Sequence, residues 1–267
     1  MFKRVLFATD FSESNLRILN CFPEFKRIGV LEFLILRVIN LSRFVGVSGI
    51  DIEGYIRVHE EEANVRLREI AEKIEKMGFK AKPIFPVPVG DPVSEILRIS
   101  KEYRADLIVM GSRGRGIIKA ILLGSTAEGV VRRSEIPVMV FKREGKKFFD
   151  RILYAHDLSE NAQKIMKYVK FIADRVGSEI LLVHVIERGE VFKEDEFEYI
   201  KRELEGFKVK TIIGYGTPHK EILKISKEEN ATSIFIGSTG VGSKSLLGST
   251  ADMVIRHSDI PVFISKT

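Results

Sequence analysis

The stretch ADLIVMGSRGRGIIKAILLGST, residues 105–126, decides how the chain reads. An apolar run stops at a glycine, a turn carrying glycine and arginine follows, and a helix-like segment resumes at Ser-Thr. A strand that breaks into such a turn and continues as a helix presents unpaired backbone N–H groups, and the helix N-terminus adds positive potential. A phosphate-bearing ligand is the first chemistry to expect there. A shortened echo, TSIFIGSTGVGSKSLLGST, occupies residues 232–250. Both copies lead to a second apolar run, IPVMVF at 136–141 and IPVFIS at 260–265.

The echo belongs to a repeat of the whole chain. VLFATDFSESN at 5–15 aligns with ILYAHDLSENA at 152–162, an offset of 147 that sets Asp10 against Asp157. LEFLILRVIN at 31–40 matches SEILLVHVIE at 178–187 at the same offset. VPVGDPVSEILRISKE at 87–102 matches IGYGTPHKEILKISKE at 213–228, but the offset has dropped to 126; at the closing strands it is 124. The second copy therefore lacks 21 residues between its second and third strands and two more in the glycine turn. The larger loss falls opposite residues around 40–60, which hold three glycines without a clear period and read as a loop or lid. Two domains of ordinary size are expected, at 1–145 and 149–267.

Each copy alternates strand and helix. In the first, KRVLFA and LEFLILRVI are strands, residues 12–27 are amphipathic, and 57–77 form a helix closed by Gly78. KAKPIFPVP reads as a strand confined to a sheet edge by its prolines, and Asp91-Pro92 opens the next helix. Strand four, the glycine turn, a helix from about 125 to 134 and a fifth strand complete the copy. Val/Ile/Leu-rich strands separated by helices imply parallel sheets covered on both faces. The expected fold class is α/β, as two tandem repeats, each a doubly wound five-stranded parallel sheet with helices on both faces. Ligands in such sheets sit beyond the carboxyl ends of strands, where strand order reverses. Asp10, Val38 and the first glycine turn share that rim.

Composition narrows the functional classes. Residues 1–147 carry 26 Lys/Arg against 19 Asp/Glu, whereas the remainder carries 17 against 18. No basic stripe interleaved with aromatics occurs, so nucleic acid is not an expected partner. Arg113, Arg115 and Lys119 instead cluster where phosphate charge would arrive. No apolar run approaches the ~20 residues of a membrane span, and MFKRVLFATD is expected to enter a strand directly rather than serve as a signal peptide. The single cysteine, Cys21, excludes an internal disulfide and a thiolate cluster and reads as a small buried apolar residue. Cytoplasmic residence is the expectation.

Several catalytic motifs fail on spacing. GSTGVGSKS, 237–245, has Ser243 where a Walker loop needs lysine, and Lys119 stands where a dinucleotide fingerprint needs glycine. The histidines, at 59, 156, 184, 219 and 257, lack metal-ligand spacing; His156 and His184, at strand ends, are expected to be structural. Asp10 and Asp157 can accept ribose hydroxyls, coordinate a metal or cap the first helix, and the sequence leaves these roles open.

The chain resembles a tandem universal stress protein, two such domains fused in one polypeptide. The resemblance covers nearly all 267 residues and rests on the strand-one aspartate, the second strand ending in valine, the array Gly111-x2-Gly114-x9-Gly124-Ser125-Thr126 and the closing IPV strand. It implies an adenine nucleotide alpha hydrolase-like fold and a bound adenine nucleotide, ATP or AMP, with or without Mg²⁺. Carried over by position, Ala8, Thr9 and Asp10 would face the ribose and phosphates, and Val38 would meet adenine through its backbone. Met110 and Gly111 would line base and ribose; Arg113, Gly114, Gly124, Ser125 and Thr126 would hold phosphates.

The second copy offers Asp157, Val185, Ile236, Gly237, Gly240, Gly248, Ser249 and Thr250, in a shorter array, G-x2-G-x7-G-S-T. Two residues span up to ~7 Å, comparable with a diphosphate, so this site is expected either to accept AMP without wrapping a triphosphate or to be degenerate. The resemblance also implies pairing through the last strands, so residues 136–142 and 260–265 would form an intramolecular pseudo-dimer across the polar linker KREGKKFFD; further homo-oligomers and protein partners stay open. The implied role is signalling or stress adaptation with little catalysis. A slow ATP hydrolase and a ligand-free scaffold are the alternatives.

Overall fold

The computed structural model describes residues 1–44, 49, 51–112, 123–145, 147–239 and 247–266. In chain order the first half comprises β1 (Arg4–Ala8), α1 (Glu13–Leu16), a 3-10 turn (Arg17–Cys21), α2 (Phe22–Arg27), β2 (Glu32–Leu36), β3 (Ile39–Asn40), a second 3-10 turn (Ser42–Phe44) and α3 (Ile52–Lys76). It continues with β4 (Lys80–Pro83), β5 (Val89–Gly90), α4 (Pro92–Glu102), β6 (Leu107–Gly111), α5 (Ser125–Arg133) and β7 (Val138–Phe141). The second half repeats the scheme with β8 (Arg151–Ala155), α6 (Glu160–Val176), β9 (Glu179–Ile186), α7 (Glu194–Glu203) and β10 (Lys208–Tyr215). It ends with α8 (Pro218–Glu228), β11 (Ser233–Gly237), α9 (Ser249–His257) and β12 (Val262–Ser265).

Each half is the expected five-stranded parallel sheet, and the two join into one ten-stranded sheet of order β10-β9-β8-β11-β12-β7-β6-β1-β2-β4. The joint is the sole antiparallel pairing among its described strand pairs: Val262, Phe263 and Ile264 lie against Val140, Met139 and Val138. Within a half, strand order reverses between β1 and β6, and again between β8 and β11, so each half has one switch point. Alternation along the strands divides the core in two. Val5, Phe7, Phe33 and Ile35 join one cluster, Leu6, Ala8, Leu34 and Leu36 the other, and both clusters run through the two halves.

The halves grip each other by equivalent residues. Phe2 of the first repeat stacks on Tyr168 of α6 at 5.5 Å, while Phe149, its counterpart at the offset of 147, packs edge-on against Phe25 of α2 at 5.9 Å. The segment between the halves is thus not simply polar, because both Phe148 and Phe149 are buried. Lys142 Nζ donates to the carbonyl of Arg256, and Lys266 Nζ donates to that of Arg132, so each half's lysine caps the last turn of the other's helix. Cys21 is buried as expected, and burial pushes its thiol up to about 11.

The structure sharpens or corrects three readings. The amphipathic residues 12–27 divide into α1, a 3-10 turn and α2: Pro23 sits at the start of α2, where its missing N–H forbids a continuous ladder. The matching α6, with Lys170 at that position, runs unbroken over 17 residues. The proline-bearing edge strand stops at Pro83, whereas its counterpart β10 extends for eight residues. Most consequential, the reading of 40–60 as a loop fails for its second half. Asp51 accepts a hydrogen bond from Gly54 N–H and starts α3, which reaches 25 residues where α7 has 10. The longer repeat owes its extra length largely to helix.

Candidate functional site

Two cavities open at the switch points, one per half. The first, about 460 Å³, gathers the ends of β1, β2 and β6 and the N-terminus of α5: Ala8, Thr9, Asp10, Val38, Met110, Gly111, Gly124, Ser125 and Thr126 all line it. The second, about 280 Å³, is lined by Asp157, Val185, Ile236, Gly237, Gly248, Ser249 and Thr250. Every sequence-derived candidate among the described residues lies in one cavity or the other. Arg113, Gly114 and Gly240 lie outside the described residues.

The turn after β1 is locally strained and held by side chains. Phe11 has φ +62°, and Thr9 Oγ1 accepts its N–H at 3.1 Å. Asp10 Oδ1 accepts from both the N–H and the hydroxyl of Ser12, at 3.1 and 2.7 Å. The aspartate therefore does not cap the helix itself; it braces the serine at the cap position. In the second half Leu158 also has φ +62°, Asp157 braces Ser159, and Ser159 Oγ caps α6 by accepting from Ala162 N–H. There His156 replaces Thr9, and its Nδ1 accepts the Leu158 N–H at 3.0 Å while Nε2 lies 3.3 Å from Gln163 Oε1. With Nδ1 accepting, Nε2 carries the proton toward the amide oxygen. Burial pushes His156 down to about 4, so both histidines at this rim have the structural setting expected of them.

At the other wall the glycine turns share one neck. Gly124 N–H donates to Ser112 O at 2.8 Å, and Gly248 N–H to Ser238 O at 2.6 Å. Gly124 and Gly248 occupy the cap positions of α5 and α9 in extended backbone, and among the described residues no side chain caps either helix. Such ends keep first-turn amides and the dipole's positive end for an anion.

A family model described as the universal stress protein family matches residues 1–142 and 190–266. The chain belongs to the universal stress protein family. It is 41% identical to a universal stress protein from Archaeoglobus fulgidus DSM 4304 whose crystal structure matches with a TM-score of 0.84 over 98% of each chain. It is 35% identical to a universal stress protein of Methanocaldococcus jannaschii over 159 residues, 54% of this chain and 97% of that one. A functionally unknown protein of Pseudomonas aeruginosa PAO1, at 13% identity and a TM-score of 0.69 over 99% and 92% of the chains, shares the fold.

In this universal stress protein the first cavity also holds residues that sequence reading passed over: Asn15, Arg37, Asn40, Tyr55 and His59. Tyr55 comes from the unforeseen first turn of α3 and His59 from the start of the expected helix, and they stack with ring centroids 4.0 Å apart; Phe44 meets Tyr55 edge-on at 4.7 Å. Their i, i+4 spacing and the Asp51 cap were signals in the sequence, hidden by the nearby glycines.

Asn15 is 5% exposed, and its Oδ1 has no hydrogen-bond partner among the described residues. Its counterpart in the second half is Ala162. Asn15→Ala is expected to raise the stability of the ligand-free universal stress protein by about 1 kcal/mol, since it removes an unsatisfied buried acceptor. Urea denaturation measures this, and a lower midpoint would mean the amide supports the fold.

Proposed function

We propose that the first cavity binds an adenine nucleotide, ATP or AMP with or without Mg²⁺, and that the protein is a cytoplasmic stress-adaptation factor that reports ligand state to protein partners rather than turning the ligand over. The observation that carries this reading is the uncapped α5 N-terminus facing the Asp10 turn across one cavity. Its volume, about 460 Å³, falls within the range of small-molecule sites. In this reading Val38 meets the base through its backbone, Asp10 takes the ribose, and the amides around Gly124, Ser125 and Thr126 take phosphate. Arg37 adds a cation to the same wall, and the sequence adds Arg113, Arg115 and Lys119 in the turn. Bound Mg²⁺ would neutralise part of the phosphate charge.

Saturating ATP is expected to stabilise the fold by mass action, about 2.7 kcal/mol at 100 times Kd, read as a rise in melting temperature. Ser125→Glu provides the discriminating control. Ser125 is exposed and sits in the first turn of α5, where a carboxylate favours the helix but repels phosphate. The variant should keep or raise its ligand-free melting temperature and lose the ATP shift. An undiminished ATP shift in Ser125→Glu would refute the placement.

A further inference from the structure

The two cavities share one register, so they can be compared position by position. At the offset of 147, His184 stands opposite Arg37, Glu187 opposite Asn40, and Glu190 opposite Arg43. His184, Glu187 and Glu190 line the second cavity, as Arg37 and Asn40 line the first. Two lining positions have changed, one from a fixed cation to an imidazole and one from an amide to a carboxylate, and Glu190, set against Arg43 in sequence only, adds a further carboxylate. Glu190 Oε2 accepts the Glu187 N–H at 2.9 Å, which holds that carboxylate near the end of β9. His184 Nδ1 donates to the His156 carbonyl at 2.8 Å, which leaves Nε2 as an acceptor. Asp157 supplies a third carboxylate to the cavity. The glycine turn contributes a single cation in sequence, Lys244, against three in the first copy.

The features that would hold a base and sugar persist. Val185, Ile222 and Ile236 keep an apolar wall, and Ser238, fully buried at the cavity lining, has an Oγ with no partner among the described residues. A buried hydroxyl of this kind is uncommon in folded proteins and calls for a partner. The α9 N-terminus remains, so an anion would meet both its favourable end and the opposing carboxylates. Like charges a few ångströms apart repel even in water.

We propose that the second cavity is a nucleoside site. It takes an uncharged adenosine-type ligand, with the base on the apolar wall and sugar hydroxyls donated toward Asp157, and it rejects the phosphorylated forms held by the first cavity. The choice of adenine rests on the reading of the first cavity; the exclusion of phosphate rests on the charge exchange alone. Its smaller volume, about 280 Å³, is in keeping with a ligand lacking the phosphate tail.

Isothermal titration of adenosine into the full chain saturated with ATP tests this. One further equivalent of adenosine is expected, with AMP at least tenfold weaker at that site. Gly237→Val, which places a side chain beside the N-terminal backbone of α6, should abolish the equivalent. Because that change borders the core, the surface double variant Glu187→Asn/Glu190→Arg is the second test. Restoring the first repeat's residues should raise AMP affinity at the second site tenfold or more relative to adenosine. Two equal ATP sites in the wild type, AMP and adenosine binding alike, or no adenosine uptake by the ATP-saturated chain would each overturn the proposal. If ATP fails to bind anywhere while adenosine binds and needs Gly237, the first-cavity reading falls and this one stands.

Discussion

Replacing Phe148 with alanine is expected to destabilise the whole protein by about 3–5 kcal/mol, the usual cost of emptying a buried phenylalanine site. For a chain of this size the melting temperature should fall by on the order of 10 °C. Phe148 is fully buried and touches three rings: Phe25 at 5.3 Å, Phe141 at 5.4 Å and Phe149 at 4.3 Å. Phe25 belongs to α2 and Phe141 to β7, whereas Phe148 and Phe149 precede β8, so the lost contacts tie the two halves together. The hole opens beside the β7–β12 joint, and the ten-stranded sheet should still unfold in a single transition. Tyr215→Ala serves as the control. Tyr215 is 71% exposed on the edge strand β10, and its removal should change stability by no more than about 0.5 kcal/mol. Calorimetry distinguishes the cases: two separated transitions in the wild type, with only one moved by Phe148→Ala, would mean that the halves fold independently and the seam is not shared.

That seam also shows what the sequence could and could not convey. The strands were legible because their apolar runs are nearly continuous, and the repeat was legible because Asp10, Gly111 and Pro137 recur at measurable offsets. From these the parallel sheets and the switch points followed, whereas the pairing of the last strands was implied by the family resemblance. The Phe148–Phe149 pair was not legible, because KREGKK precedes it and only tertiary contact with Phe25 of α2 and Phe141 of β7 decides that two linker residues are buried. The first turns of α3 were missed for a local reason: Gly49 and Gly54 obscured an apolar period that is weak anyway at a solvent-facing helix start. Missing them concealed Tyr55 and the ring it sets against His59. The role of Asp10 stayed open because an aspartate two residues before a serine can cap or brace, and only the hydrogen-bond geometry separates the two.

Acid should weaken the wild type through His156, and His156→Thr should remove that weakness. In the folded chain burial holds this imidazole at about 4, against an ordinary value near 6.5. The unfolded chain therefore binds a proton that the folded chain refuses between those two values. Stability is full above the ordinary histidine range and falls as pH drops through that window toward 4, by a total of about 3 kcal/mol from this group. Threonine is the residue the first repeat uses at the same place, and Thr9 Oγ1 accepts the following turn's N–H just as His156 Nδ1 does. The variant thus keeps an acceptor for Leu158 N–H at φ +62° but carries no titrating ring. It loses ring contact with Tyr154, whose centroid lies 5.2 Å away, so its stability at neutral pH should be lower than that of the wild type. The informative quantity is the slope: urea midpoints between pH 7 and pH 4 should fall less steeply for His156→Thr. Parallel profiles would show that His156 is protonated in the fold at no cost. Since Leu158 follows Asp157, the same protonation should loosen the turn that presents this carboxylate to the second cavity before it unfolds the sheet.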